Sequence, residues 1–357
     1  RNITISHNSI YDTPRAGINI SEGTWGGHII EHNDIFDTVK ETGDHGTINS
    51  WGRDRFWHPK YNVMTQITDE NPALILADVV EPIIIRHNRL RCDRGWDIDL
   101  DDGSSNYQIY NNLCLNGGIK LREGFYRTVE NNIIVNNTLH PHLWFKNSGD
   151  VFSRNIVMTK YKPIRVYGWG REVDYNIFTD SLAYLAARQL GGEVHSIVTT
   201  IRFMDAMKGN FNVADDSEVI IKGGFRNFPM HNFGVLSSHL KQLAESPVMP
   251  IPLVTDNDAD TKTMLWKGVT LKNLNTLEER SATGMDTERG VYVISVDALD
   301  SPVRDFIAPN DVILSINGKS VNNLCDMKEA LRYIDTLKRV ELVIFRNQKE
   351  DKIVIPL

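Results

Sequence analysis

A short unit of the form apolar-x-apolar-x-x-Asn-x-apolar recurs through the first half of the chain and limits its fold more than any other feature. The units centre on Asn8, Asn33, Asn88, Asn112, Asn132, Asn155 and Asn176. Neighbouring centres are 25, 55, 24, 20, 23 and 21 residues apart, so one insertion interrupts a steady period. A unit this short cannot bury its own apolar face; stacked copies can. Each holds strand-like pieces broken by Asn or Gly. Asn tolerates the left-handed backbone of a sharp corner, and its side chains can form ladders along parallel strands.

The pattern resembles the right-handed parallel β-helix of pectin-lyase-like proteins over residues 1–178. That resemblance implies an all-β solenoid, with strands of successive coils ~4.8 Å apart. The Leu-x-x-Leu-x-Leu consensus of a leucine-rich repeat is absent.

A second strand follows each Asn unit. Ile18 and Ile20, Ile98 and Leu100, Ile119 and Leu121, Leu143 and Phe145, and Ile164 and Val166 are expected to point inward, leaving the residues between them in solvent. One outward row then reads Asn19, Asp99, Lys120, Trp144, Arg165, and the next Ser21, Asp101, Arg122, Lys146, Tyr167. A third reads Glu22, Asp102, Glu123, Asn147. Acids beside bases, followed by aromatics, are the composition of a carbohydrate cleft. The plainer alternative is a charge-balanced solvated face. The acidic strand Trp96-Asp97-Ile98-Asp99-Leu100-Asp101-Asp102-Gly103 crowds four carboxylates, which repel one another unless cations, protons or a substrate use them. An EF-hand is excluded, because Asp102 stands where its loop needs Gly and Gln108 where it needs Glu.

The insertion opens with residues 41–58, which hold Asp44, His45, Trp51, Arg53, Asp54, Arg55 and Trp57 among glycines. A long aromatic-rich loop of this kind is expected to wall the cleft. The alternatives are a surface role for His45 and simple pairing of Asp44 or Asp54 with Arg53 or Arg55.

Two carboxylates on opposite sides of a sugar suit glycoside hydrolysis, one donating a proton and the other acting as base or nucleophile. The acidic strand supplies one, and Asp44, Asp54 or Glu123 could supply its partner. Three motifs, Gly43-Asp44-His45-Gly46 with Asn49-Ser50-Trp51-Gly52-Arg53-Asp54-Arg55, Trp96 to Tyr107, and Lys120-Leu121-Arg122-Glu123-Gly124, resemble glycoside hydrolase family 141. That resemblance implies an α-L-fucosidase or xylanase acting on plant polysaccharide through a pair of Asp residues. Asp54 and Asp99 are its best candidates, followed by Asp44, Asp97 and Asp101. His45, Trp51, Arg53, Asp102, Lys120, Arg122, Glu123, His142, Trp144 and Arg165 are the expected substrate contacts. No cofactor is expected on this reading. The alternatives are a Ca²⁺-dependent polysaccharide lyase built on Asp99, Asp101, Asp102, Lys120 and Arg122, and a glycan-binding module without catalysis.

After residue 178 the repeat fades. Residues 180–250 are expected to be irregular structure over the open end of the solenoid, with short helices at 181–190 and 236–244 and Asp180 as a cap. Residues 251–262 read as a linker, and residues 263–357 as a second domain. Its strands at 291–296, 311–319 and 340–346 and its helix at 324–334 are similar to a small α/β bacterial PDZ domain, although Asn310 departs from the family's usual Gly. The resemblance implies that Trp266-Lys267-Gly268-Val269 holds a peptide carboxylate on its backbone N–H groups, with a peptide adding as a strand. Equally, the domain could brace the first or hold another subunit.

A net charge of -7 argues against nucleic acid, and no apolar run is long enough to span a membrane. Cys92, Cys114 and Cys325 match no zinc spacing and are expected to be buried thiols. The chain opens inside a repeat at Arg1, so a piece of a longer protein lacking its upstream coils is expected. A polysaccharide substrate places it in the periplasm or outside the cell.

Overall fold

Strands of the repeat pair in parallel, and successive stretches of chain add strands to three sheets in turn. A computed structural model describes the chain except residues 23–24, 254–262, 275–276, 297–302, 332–336, 338 and 357. The first sheet has seven strands, from Thr4–Ser6 to Glu172–Asp174, and the second has eight, from Ser9–Ile10 to Ile197–Val198. The third has five, Ile18–Ser21, Gly46–Trp51, Trp96–Asp101, Ile119–Leu121 and Leu139–Pro141. Ile30, Ile85, Ile109 and Val129 of the first sheet share one core with Ile35, Leu90, Cys114 and Ile134 of the second and Ile48, Ile98, Ile119 and Leu139 of the third.

The Asn residues form a continuous row. Asn112 Oδ1 accepts from both the backbone N and Nδ2 of Asn88, each at 3.0 Å, while Asn112 Nδ2 donates to Ile85 O at 2.9 Å. The same arrangement links Asn33, Asn88, Asn112, Asn132, Asn155 and Asn176, all fully buried. The left-handed corner lies one residue earlier than expected. His7, His32, His87, Asn111, Asn131, Arg154 and Tyr175 take positive φ, and this frees each following Asn to turn inward and satisfy buried backbone groups. The rings of His7, His32 and His87 stack at 4.9 and 5.1 Å.

The expected all-β solenoid is corrected on three points. The strands lie in separate parallel sheets of unequal size. Helices Tyr61–Glu70, Ser181–Gln189, Glu218–Ile221 and Ser238–Leu243 belong to the same unit. A third departure is an antiparallel pair, Phe203–Asp205 with Asn210–Val213. A hydrophobic period fixes the recurrence of buried strands, but it is silent on segments that pack between or outside them. Helix Ser181–Gln189 packs Ala183 and Ala187 into the inner core beside Phe178 at the last strands of the second sheet, and the rest of residues 180–250 adds cover on a sheet face. Leu113, Ile133 and Ile156 point outward from the second sheet, and Phe211, Phe225 and Phe228 bury them in a second apolar layer. Asp180 caps its helix by accepting from the backbone N of Leu182 and Ala183. Cys92 and Cys114 are buried free thiols, whereas the side chain of Cys325 and the 254–262 part of the expected linker lie outside the described residues.

The chain divides into two units, Arg1–Val254 and Thr255–Leu357. The second contains a sheet in the order Met264–Trp266, Val269–Asn273, Val291–Val296, Val312–Ile316, Arg339–Arg346, Lys349–Pro356, all antiparallel, with Lys319–Ser320 beside Val312–Ile316. Helix Leu324–Leu331 contributes Leu324 and Met327 to its core; residues 332–334 of the expected helix lie outside the described residues.

Candidate functional site

The third sheet carries the acidic strand at its middle. Its register runs Asn19 beside Asn49, Asn49 beside Asp99, Asp99 beside Lys120, and Lys120 beside His140. One residue pair along, Ser21 lies beside Trp51 and Trp51 beside Asp101. Residues 46–51 are therefore a strand of the sheet, with Ile48 buried beneath, and not part of an inserted wall. The insertion lies later in the chain, where helix Tyr61–Glu70 packs Met64 against Phe56, Phe125 and Phe145.

Cations thread the acids. Lys120 Nζ lies 3.0 Å from Asp99 Oδ1, 3.4 Å from Asp101 Oδ2 and 4.1 Å from the Trp96 ring centre. Arg122 Nη1 reaches Asp101 Oδ1 at 2.8 Å and Asp102 Oδ1 at 3.3 Å, and its Nε lies 2.8 Å from Glu123 Oε2. Arg53 pairs with Asp102 at 2.8 Å. Asp44, His45, Asn49, Trp51, Arg53, Asp101, Asp102 and Arg122, together with Arg15, line a cleft of about 160 Å³.

These surroundings set the two strand acids apart. Burial pushes the Asp99 carboxyl up to about 7, against the pull of Lys120. Burial also acts on Asp101, but Lys120, Arg122 and the Asp102 backbone N–H outweigh it and hold that carboxyl below its ordinary value. Asp101 is therefore an anion at the cleft, whereas Asp99 is wholly buried and exchanges its proton near neutrality. Burial lowers His142 to about 4 and His140 to about 3, so both rings are neutral at pH 7. Burial lowers His45 as well, with Arg15 adding to the effect.

Several sequence candidates lie elsewhere. Asp97 does not line the cleft; its side chain accepts backbone N–H bonds from Cys92 and from Asn116, Gly117 and Gly118 at 2.7 to 3.2 Å, so it ties the start of its own strand to the turn of the next repeat. Asp54 is buried beside Ser50, Ser104 and Tyr107. Neither member of the expected Asp54 and Asp99 pair is among the residues that line the cleft. Glu123 is buried, accepts from Trp57 Nε1 at 3.2 Å and anchors Arg122. Trp144 is fully buried, with its Nε1 donating to Leu121 O at 2.8 Å. Its place in the outward row belongs to His140, because the last strand of the sheet is Leu139–Pro141. Arg165 is exposed beyond that sheet, next to Ile164, which bridges His142. Sequence reasoning missed Asn49, although alternation in Thr47-Ile48-Asn49-Ser50 signals a strand. It also missed Arg15, whose guanidinium lies 5.0 Å from the Trp51 ring centre and which no local signal marks.

Calcium does not suit this set. Asp99, Asp101 and Asp102 already face Lys or Arg, and among the described residues no group of three or more His, Cys, Asp or Glu is placed to hold a metal ion.

In the second unit, the expected carboxylate loop is a two-residue hairpin turn. Lys267 and Gly268 take φ of 49° and 80°, the type I′ geometry, and Trp266 and Val269 flank it as buried ladder partners. These positions join two neighbouring strands of the sheet.

No curated protein matches the chain. The family model for the PDZ domain matches residues 268–357, so the C-terminal unit is similar to domains of that kind, whose usual partners are peptides.

Proposed function

We propose that the Arg1–Val254 unit is a glycoside hydrolase acting on plant cell-wall polysaccharide, of the α-L-fucosidase or xylanase type that its three motifs resemble. The observation that carries this reading is Asp101, a carboxylate kept ionised by two cations while lining a cleft with a second, exposed carboxyl, Asp44. Asp101 and Asp44 supply the pair of carboxyl groups that glycoside hydrolysis needs, with Asp101 as the base or nucleophile. Trp51 offers a ring face to a sugar, and Arg53, Arg122 and His45 supply donors for its hydroxyls. Asp99 acts as a positioning residue by holding Lys120 against Asp101. Pairing of the strand acids with Lys and Arg favours hydrolysis over the Ca²⁺-dependent lyase.

The test is incubation with xylan and with fucosylated plant oligosaccharides, with and without EDTA, reading reducing sugar and the ultraviolet absorbance of unsaturated product. Reducing sugar that persists in EDTA and is lost in Asp101→Asn is the expected result. Absorbance that EDTA abolishes, or full hydrolysis by both Asp101→Asn and Asp44→Asn, overturns the reading.

A further inference from the structure

Strand addition to a sheet needs an open edge, and in the C-terminal unit the strand beside the helix is already covered over Val269–Leu271. Val269–Asn273 is bonded on one side to Val291–Val296 and on the other to Met264–Trp266, the three residues that precede it in the chain. Helix Leu324–Leu331 lies against the same strand, with Leu324 N donating to Asn273 Oδ1 at 2.7 Å. Trp266 is buried in the apolar cluster that contains Leu324 and Met327 of that helix, with Met264 partly buried against it, while Leu265 between them is 73% exposed. A bound peptide would show this alternation, with two anchors inward, one residue outward and its backbone paired to the sheet.

We propose that Met264–Trp266 is an internal ligand filling the peptide groove of this unit, and that an outside partner binds by displacing it. The partner is an extended peptide with a large apolar or aromatic anchor in the place of Trp266. This inference does not rest on the glycosidase reading.

Two features make the internal strand exchangeable. It is only three residues long and joined by a tight turn, so few ladder bonds hold it. Its anchor is also imperfect, because the Trp266 indole Nε1 is buried with no acceptor among the described residues, and a buried donor left unpaired weakens whatever places it there. A groove open only part of the time lowers apparent affinity by the open fraction, so emptying it tightens binding without any new contact.

The experiment measures binding of a fluorescein-labelled peptide carrying this chain's own residues 263–266 to the full chain by anisotropy. In a two-residue hairpin the residues flanking the turn form a hydrogen-bonded pair, and so does the pair two residues out. Met264→Pro therefore removes a ladder donor, and Trp266→Ala removes the anchor. Both variants should bind the peptide about tenfold or more tighter than wild type, whereas Glu350→Gln, exposed on the last strand of the sheet, should leave affinity unchanged. Equal affinity in wild type and both variants, or no binding by variants whose circular dichroism matches wild type, overturns the proposal. Hydrogen exchange on the wild-type chain decides the matter should the variants fail to fold. Val269 and Leu271 amides, which face the internal strand, should exchange faster than those of Val291 and Val293. Equal protection would make Met264–Trp266 a permanent strand and sink the idea.

Discussion

Lys120 stands beside Asp99 on the neighbouring strand, its Nζ 3.0 Å from Asp99 Oδ1, and the same ammonium reaches across to Asp101. One cation thus serves a sealed acid and an open one. Burial dominates at Asp99 and raises its carboxyl, whereas at Asp101 the combined pull of Lys120 and Arg122 exceeds burial and lowers it. Two acids two residues apart therefore hold different protonation states near neutral pH.

Lys120→Met removes half of that arrangement. Asp101 keeps Arg122 but loses the ammonium, and its carboxyl rises toward the ordinary value or above it. Since the proposed chemistry needs Asp101 ionised, the acid limb of the kcat/KM profile should move up by about one pH unit or more. A pH–rate series on wild type and variant checks this, and an unmoved acid limb would remove Lys120 from the site's electrostatics.

Asp99 also makes stability depend on pH. Its folded value of about 7 lies above the ordinary 3.8, so the folded state holds this proton more tightly than the unfolded chain. Its contribution is fully present below pH 3.8 and is lost as pH rises through 7. Asp99→Asn cannot ionise. The unfolding free energy of the variant relative to wild type should therefore grow between pH 4 and 7 and stay level above, whatever constant offset the loss of the Lys120 pair adds. Urea titrations across that range give the slope, and a flat difference would mean that Asp99 is ionised throughout.

The legibility of this chain in its sequence follows from which interactions are periodic. The Asn row was readable because each Asn does the same work one repeat apart, and the acidic strand was readable because charges alternate with Ile98 and Leu100. Strand Gly46–Trp51 was not, since its Trp and Gly resemble a loop and only its neighbours on both sides reveal the pairing. That strand moves the insertion later in the chain and puts Asn49 in the row that leads to Asp99. Trp144 falls outside the row because repeat lengths are unequal and the sheet ends at Leu139–Pro141. Asp97 shares the outward parity of Asp99, but Cys92 N before it and three backbone donors from the following turn claim it, and such bends leave no period in the sequence. The hairpin at Lys267 and Gly268 shows the same limit, because Gly is compatible both with a loop and with the tight turn that forms.

Arg127 and Asp150 form a fully buried ion pair in which Asp150 Oδ1 accepts from Arg127 N at 2.9 Å and from Nε at 2.7 Å, and Oδ2 accepts from Nη2 at 2.7 Å. The remaining guanidinium donor bonds Arg122 O and Ser104 O, which fixes the start of the Arg122 side chain and the turn after the acidic strand. Arg127→Met strands Asp150 in the core and should destabilise the first unit by about 3–5 kcal/mol. Activity measured well below the lowered midpoint should fall as well, because Arg122 loses its backbone support. Thermal unfolding combined with an assay at low temperature separates the two effects, and a stability loss without loss of activity would limit Arg127 to the core.

The Asn row invites a graded test because its members differ in how many neighbours depend on them. Asn112 accepts from the backbone N and Nδ2 of Asn88 while donating to Ile85 O, Tyr110 O and Asn132 Oδ1. Replacing it with Leu conserves bulk but orphans buried donors and acceptors on both sides. At about 1–3 kcal/mol for each group left unpaired, the loss should be at least about 3 kcal/mol. Asn8 begins the row, is only partly buried and donates from its amide to Ser6 O and Asn33 Oδ1. Asn8→Ala leaves those acceptors within reach of water and should cost about 1 kcal/mol or less. Because two units unfold in one chain, a single transition cannot be assumed; tryptophan fluorescence isolates the first, since all of the seven tryptophans except Trp266 belong to it. Equal losses at Asn8 and Asn112 would mean that the row's stability does not come from satisfying buried backbone groups.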